Sequence, residues 1–270
     1  MAPARLPPAS SVLATLFVSS NRVAAARLAP QAGEARVAAK PGIDHYRILR
    51  TDEVDAKDAP LTAEERASIV ATGAAAIRNT GDGFAGTARM AAKLSIADAP
   101  AENFDTVAAV IATLPSKSDM VNHDPRISDD RGSERVVEEE RNVRLSAFLY
   151  AASRENDNDF HLIVGENPQG QEEVYVTMEV SGLPPASAGT FAKLKSARDS
   201  FQGFFGDKAP GATYDFYDPP IPIRVEGSLF FDMSHAHGQS PGPPTLHPHM
   251  PVIWEVHPIS SIEFEPGPNV

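Results

Sequence analysis

The sequence predicts an α+β fold, in which the C-terminal half forms a five-stranded OB-like β-barrel preceded by a small helical segment. Three observations favour this fold. Apolar residues alternate with a period of two in five segments after residue 141, and one helical pattern stands between the third and fourth segments. The order strand, strand, strand, helix, strand, strand is that of an OB-type barrel. Another α+β sheet with one helix covering a face is the alternative.

The first three strands are separated by turn-forming residues. Alternation over Val143–Ala151 predicts the first strand, and Phe160–Val164 predicts the second. Residues 155–159 predict the turn between them, because Asn and Asp side chains bond their own backbone and tolerate positive φ. A second turn over 165–171 leads into a third strand at 174–180.

The helix and the last two strands follow in the same way. Aromatic and aliphatic residues at three- and four-residue spacing predict a helix over Phe191–Phe205, which Gly206 ends in the position that a C′ glycine prefers. A Pro-rich approach leads into the fourth strand, Ile221–Phe231. The fifth strand is predicted over Val252–Phe264, with a break at Pro258 because proline cannot donate to a β-ladder.

Composition and patterning divide the chain into four parts. Residues 1–42 are rich in Ala, Pro and Arg, and predict either a disordered leader or a weak signal peptide whose apolar part is Ser11–Val18. Residues 43–115 predict a helical N-terminal unit, residues 116–140 a linker, and residues 141–267 the barrel domain.

The helical unit is predicted from three segments. A capping box at Thr62 begins a helix that runs to Ile77, and shorter helical pieces are expected at Ala85–Leu94 and Phe104–Leu114. Within the linker, the charge run Glu134–Arg141 is expected to form a solvated face.

Composition excludes several classes of function. The chain has 270 residues, is 42% hydrophobic, and carries a formal net charge of -12, so a nonspecific nucleic-acid binder is not expected. It has no cysteine, which excludes disulfides, thiolate metal sites and a cysteine nucleophile. No apolar run predicts a membrane span. The compartment stays open, with the cytoplasm favoured over export.

Four motifs in the C-terminal half carry a resemblance to a known group of proteins. They are Asn158–Ile163 (NDFHLI), Glu179–Pro184 (EVSGLP), Val225–Asp232 (VEGSLFFD) and Trp254–Ile259 (WEVHPI). They resemble the motifs of a widespread family of uncharacterised bacterial proteins. The resemblance implies a shared domain, and it carries over no catalytic residue because that family has no established activity.

Two His-x-His pairs lie in the loop between the fourth and fifth strands. They are His235 with His237 and His247 with His249. Alternate residues of an extended segment point the same way, so each pair is placed to present two imidazoles to one metal, with a third ligand from the other pair or from Asp232. The ion would be Zn or Mn, and no other cofactor is expected. Solvated loop histidines are the alternative interpretation.

A second candidate site involves the fifth strand. Glu255 and His257 share one face of that strand, opposite Trp254, and they are expected to point outwards towards His161. A Glu–His pair there would suit acid–base catalysis. The alternative is a strand histidine that bonds a backbone carbonyl or a carboxylate and fixes the local packing.

Two functions follow from these observations. The first is a non-catalytic binding module, since OB barrels bind across strands two and three between the loops that here span 155–159 and 232–252. The acidic charge favours a carbohydrate, a protein or a cation over nucleic acid as ligand. The alternative is a metal-dependent hydrolase, phosphodiesterase- or nuclease-like, using the His-rich loop. Whether the protein is an enzyme stays open, with a non-catalytic role favoured.

Overall fold

The computed structural model describes residues 42–55, 81–168, 174–236 and 240–266. Within these ranges the chain has mixed α+β structure, with one seven-stranded sheet and few helices. The predicted α+β class is therefore confirmed. The helix predicted from Thr62 to Ile77 lies outside the described residues, as does almost all of the predicted leader.

Seven strands and four α-helices make up the regular structure of the described ranges. The strands are β1 Arg47–Arg50, β2 Ala101–Phe104, β3 Asn142–Arg154, β4 Phe160–Gly165, β5 Tyr175–Val180, β6 Asp215–Phe231 and β7 Trp254–Phe264. The α-helices are α1 Met90–Lys93, α2 Val107–Ile111, α3 Lys117–Val121 and α4 Phe191–Phe205. Short 3₁₀ helices lie at Ile43–His45, Val137–Glu139, Gly206–Lys208, Met233–His235 and Pro244–His249.

The strand order in the sheet is β1-β6-β7-β5-β4-β3-β2, and β6 pairs in addition with β3. The pairs β2–β3 and β5–β7 are parallel, and the remaining pairs are antiparallel. The five predicted strands correspond to β3–β7, and the predicted helix between the third and fourth of them is α4.

Prolines interrupt β6 and β7 less than the sequence suggested. Strand β6 begins at Asp215 rather than Ile221, and Pro219 and Pro220 fall in the gap where its register with β3 shifts. The break predicted at Pro258 is wrong, since β7 is continuous there and the β6–β7 register shifts on both sides of Gly227. A register shift leaves a residue outside the ladder, so a missing N–H costs no inter-strand hydrogen bond.

Residues 81–115 are less helical than predicted. The piece predicted at Ala85–Leu94 shortens to α1, and the piece predicted at Phe104–Leu114 shortens to α2 after a strand, β2, that pairs with β3. The solvated face predicted for Glu134–Arg141 is wrong at Glu139, which is 0% exposed. Glu139 is buried because Arg89, fifty positions earlier, binds its carboxylate with both terminal nitrogens.

The sheet has two unlike faces over β4, β5 and β7. On one face, alternate apolar side chains join the main core, including Leu162, Met178 and Val256. Helix α4 packs there, and its Phe204 stacks on Phe264 with ring centroids 4.2 Å apart. Successive side chains of a strand point to opposite faces, so the residues between these core positions point the other way. Those residues are largely polar, and they form the candidate site.

Candidate metal centre

Four polar side chains from three neighbouring strands meet on the second face of the sheet. His161 of β4 lies opposite Glu179 of β5, and Thr177 of β5 lies opposite Glu255 of β7. His257 follows two positions later on β7. His161, Glu179, Glu255 and His257 are each 0% exposed. Neighbouring strands place facing side chains about 5 Å apart, so the pairing itself brings these groups together.

Five further side chains reach the same place from loops and connecting segments, and all are buried. They are Asp55, Glu155, Asp159, Asp232 and His235. Together with the four strand residues they form what we call the His/carboxylate cluster, which contains six carboxylates and three imidazoles.

The turn between β3 and β4 positions two of these carboxylates. It is confirmed at 155–159, where the N–H of Glu155 donates to the carbonyl of Asp159 at 2.9 Å. Asn158 adopts the positive φ of 79° that such a turn needs. The backbone N–H of Gly182 donates to Asp159 Oδ1 at 2.5 Å, which leaves Oδ2 facing the cluster.

His161 is held by one of its two ring nitrogens. Its Nδ1 lies 3.0 Å from Glu155 Oε1, 3.4 Å from Asp55 Oδ2 and 2.8 Å from the hydroxyl of Tyr214. Its Nε2 is buried and has no hydrogen-bond partner among the described residues. Burial acts to lower the pKa of His161, but the carboxylates of Glu155, Asp55 and Glu179 outweigh it and raise the pKa to about 9.

His257 lies between carboxylates on both sides of its ring. Its Nδ1 is 3.0 Å from Glu179 Oε2 and 3.8 Å from Glu255 Oε2, and its Nε2 is 3.4 Å from Asp159 Oδ2. Within the described ranges neither His257 Nε2 nor Asp159 Oδ2 has a partner in hydrogen-bond geometry. Burial lowers the pKa of His257 in spite of Glu179. Burial, then Asp157 and Glu179, raises the pKa of Asp159 well above its usual range.

His235 occupies the opposite end of the cluster. Its Nε2 lies 3.6 Å from Asp232 Oδ2 and 3.7 Å from Asp55 Oδ1. The other oxygen of Asp232 accepts from the backbone N–H of Ser234 at 2.8 Å and caps the 3₁₀ helix Met233–His235. This cap fixes the position of His235 relative to Asp232.

Within the cluster, four groups of three side chains have ligand atoms within 4.8 Å of one another, as a metal site requires. The groups are Asp55–Glu155–His161, Asp159–Glu179–His257, Asp232–His235–Glu255 and His161–Glu179–Glu255. The first three share no residue, and the fourth takes one residue from each of them. That fourth group therefore lies at the centre of the cluster.

The buried carboxylates of the cluster require positive charge to balance them. Buried carboxylates are strongly disfavoured unless protons, cationic side chains or metal ions balance them. Carboxylate and imidazole ligands suit Zn²⁺, Mn²⁺ and related divalent ions. Lys93 places positive charge near Asp159, but its Nζ is already paired with Asp157 at 3.3 Å.

The structure brings most of the sequence-predicted site residues together, but not all of them. Asp232, His235, His161, Glu255 and His257 belong to the cluster. His237 lies outside the described residues.

The other His-x-His pair, His247 and His249, is in the 3₁₀ helix Pro244–His249 rather than in an extended segment. With three residues per turn, positions two apart do not share a side. His247 Nε2 lies 2.9 Å from the Gly242 carbonyl, and His249 is exposed with its ring against Tyr175. Among the described residues, neither histidine belongs to a metal-ligand group.

Four members of the cluster were not predicted as ligands: Asp55, Glu155, Asp159 and Glu179. Glu155 and Asp159 were predicted only as residues of the turn 155–159. Glu179 could have been found from the sequence. It is a charged residue in a mostly apolar strand, β5, and it lies on the face opposite the core residues Val176, Met178 and Val180.

A cavity of about 400 Å³ adjoins the cluster. Glu155 and Asp232 of the cluster line it, and so do Arg89, Lys93 and Asp157. A small molecule in this cavity would therefore contact the edge of the cluster.

The chain matches no protein-family model, no curated protein and no solved structure. Among the described residues, none of the helices has the length and hydropathy needed to cross a bilayer.

Proposed function

We propose that this protein binds a divalent cation, Zn²⁺ or Mn²⁺, through His161, Glu179 and Glu255 at the centre of the His/carboxylate cluster. The observation that carries the proposal is the asymmetry of His161. Its Nδ1 faces Glu155 and Tyr214, while its buried Nε2 has no hydrogen-bond partner in the described ranges. A metal-ligating histidine has this arrangement, with one nitrogen on the ion and the other held by a carboxylate.

The three ligands fit the charge and chemistry of such an ion. When the ion displaces the proton of His161, the imidazole is neutral, and Glu179 and Glu255 carry a formal charge equal and opposite to that of one divalent cation. An imidazole with two carboxylates leaves coordination positions for further ligands, as in sites that bind or activate a small molecule. Burial of all three side chains strengthens the attraction, because water does not screen the charges.

The proposal includes an OB-like barrel as the scaffold. The pairings β3–β4, β4–β5, β5–β7, β7–β6 and β6–β3 form a ring, and α4 lies between β5 and β6 in the chain. OB barrels bind ligands across strands two and three, flanked by the loops that join strands one to two and four to five. The cluster draws on β4, β5, the turn 155–159 and the segment after β6, which are the corresponding parts.

Metal content tests the proposal directly. Full-length protein purified without chelator, or reconstituted with Zn²⁺ or Mn²⁺ after dialysis, should contain stoichiometric metal by elemental analysis. His161→Ala and Glu255→Gln should lose the ion at the central site. Glu263→Gln is the matched control, since Glu263 lies on the same strand with an exposed side chain. Protein that folds but retains no metal after reconstitution would overturn the proposal.

The second candidate is a metal-dependent hydrolase of the phosphodiesterase type. The cavity beside the cluster favours it, because Glu155 and Asp232 of the cluster line that cavity together with the cationic side chain of Lys93. A divalent ion there would lower the pKa of a bound water and make it a nucleophile. Hydrolysis of bis(p-nitrophenyl) phosphate by the reconstituted protein, lost in Glu255→Gln, would support this function. Metal-loaded protein that does not hydrolyse the phosphodiester would exclude this function and leave cation binding as the function.

A further inference from the structure

Asp159 and His257 form a second set of buried ligand atoms beside the central site. Within the described ranges, Asp159 Oδ2 and His257 Nε2 lack hydrogen-bond partners, although both residues are 0% exposed. The ligand atoms of Asp159, His257 and Glu179 lie within 4.8 Å of one another. Asp159 and His257 are not among the ligands proposed for the central cation.

We propose that the cluster binds a second divalent cation through Asp159, His257 and Glu179, with Glu179 bridging the two ions. The inference rests on the proposed central site, because a bridging carboxylate requires an ion on each side. It goes beyond that site in assigning a dinuclear centre. In such centres a shared carboxylate holds the ions about 4 Å apart.

The separation between His257 Nε2 and Asp159 Oδ2 suits two ligands of one ion. These atoms are 3.4 Å apart, and a ligand atom of Glu179 lies within 4.8 Å of a ligand atom of each residue. Two ligands that each lie about 2.1 Å from an ion, at angles between octahedral and tetrahedral, are separated by about 3.0–3.4 Å. The other ring nitrogen, Nδ1, faces Glu179 Oε2 at 3.0 Å, so Nε2 is the nitrogen that would bind the ion.

The charge of the cluster favours two ions over one. Once bound cations displace their protons, the six buried carboxylates carry a formal charge of -6, so one divalent cation leaves -4 and two leave -2. Because an uncompensated buried charge is strongly unfavourable, the second ion removes a large part of the cost that remains after the first. Asp157, on the turn that carries Asp159, is already paired with Lys93 at 3.3 Å.

Metal stoichiometry of the full-length chain tests the second site. Metal-free protein reconstituted with Mn²⁺ and freed of excess ion should contain two Mn²⁺ per chain by elemental analysis. His257→Ala and Asp159→Asn should each contain one, and Glu179→Gln should bind neither ion stably. His249→Ala is the matched control, because His249 is exposed and outside the ligand groups of the described residues; it should retain two.

A measurement on the wild-type protein guards against variants that fail to fold. Two Mn²⁺ ions joined by a carboxylate give an exchange-coupled electron paramagnetic resonance spectrum, whereas a single ion gives the ordinary mononuclear spectrum. We expect the coupled spectrum at two equivalents of Mn²⁺.

The outcomes separate the two proposals. One Mn²⁺ per chain with a mononuclear spectrum, retained in His257→Ala and lost in His161→Ala, would overturn the second site and leave the central one. A single ion lost in both variants would also overturn the second site, since all the ligands would then serve one ion. Folded wild-type protein that retains no Mn²⁺ and no Zn²⁺ would overturn both.

Discussion

Replacing Glu139 with glutamine tests how the segment beside the cavity is held. Arg89 lines that cavity, and its two terminal nitrogens donate to the two oxygens of Glu139, each at 2.7 Å. The same carboxylate accepts from the backbone N–H groups of Phe231 at 2.8 Å and Val136 at 2.9 Å. Glutamine has nearly the same shape, so the change removes the charge and turns one acceptor into a donor.

The expected loss in the free energy of unfolding is large. The side chains of Arg89 and Glu139 are 2% and 0% exposed, and removing one partner of a buried pair costs about 3–5 kcal/mol. Arg89 keeps the carbonyl of Glu134 at 2.9 Å and its position over the ring of Phe230, so we expect the lower part of that range. With a urea dependence of about 2–3 kcal/mol/M, the unfolding midpoint should fall by roughly 1–2 M.

Urea denaturation followed by circular dichroism measures this loss. Glu138→Gln is the matched control, because Glu138 is the neighbouring residue, is 31% exposed, and pairs only with His123 at 3.1 Å among the ion pairs of the described residues. A pair of that kind contributes at most about 1 kcal/mol. Equal midpoints for the two variants would refute the reasoning that burial makes the Glu139 pair essential.

Four further changes should have measurable effects. A Cβ at Gly227 would lie 2.6 Å from a backbone carbonyl oxygen of β7, so Gly227→Ala should destabilise the fold by about 1–3 kcal/mol in urea denaturation. In α4, Gly203→Ala should stabilise the fold by up to about 1 kcal/mol, since among the described residues nothing lies within 4 Å of the added Cβ. A change of stability in the same direction for both glycine variants would contradict this contrast. A hydrogen bond to a backbone carbonyl, and then Glu138, raises the pKa of His123. The extra stability of wild type over His123→Gln should therefore be complete below pH about 6.5 and disappear as the pH rises through the raised pKa; an NMR titration showing an ordinary pKa would rule this out. Mn²⁺ added to metal-free protein should raise the thermal unfolding midpoint in wild type but much less in His161→Ala, because an ion that binds only the folded state stabilises it; an unchanged wild-type midpoint would count against the central site.

The regular structure was predictable where a local pattern determines it. Strands β3, β4 and β5 and helix α4 follow from periods of two and of three to four residues, because each element presents one apolar face to the core. The burial of Glu139 was not predictable in this way. Its cause is Arg89, which is distant in the sequence, and a charge run gives no sign of such a partner. The length of β6 was missed because Pro219 and Pro220 end strands unless a register shift accommodates them.

The candidate site was partly predictable, and strand order explains which part. Alternation alone places Glu255 and His257 on the face opposite Trp254, and the OB-like order then makes β4 and β5 their neighbours. Applying the same parity to β5 would have added Glu179. No such argument reaches Asp55, whose segment has no repeating pattern and enters the cluster through contacts such as the 2.7 Å bond from the N–H of Gly242.

The remaining difficulty was to distinguish a buried polar face from a solvated one. Charged residues at alternate strand positions ordinarily indicate solvent, and that interpretation would leave the outer face of β4, β5 and β7 open. Here a second apolar cluster lies on that face, where Met250 packs with Ile163, Tyr175 and Tyr214. These contacts keep water from the neighbouring carboxylates, so the same side chains that would be solvated on an open sheet require protons or cations instead. The segment that follows β6 therefore contributes to the site in two ways: Asp232 and His235 join the cluster, and its apolar residues exclude water from it.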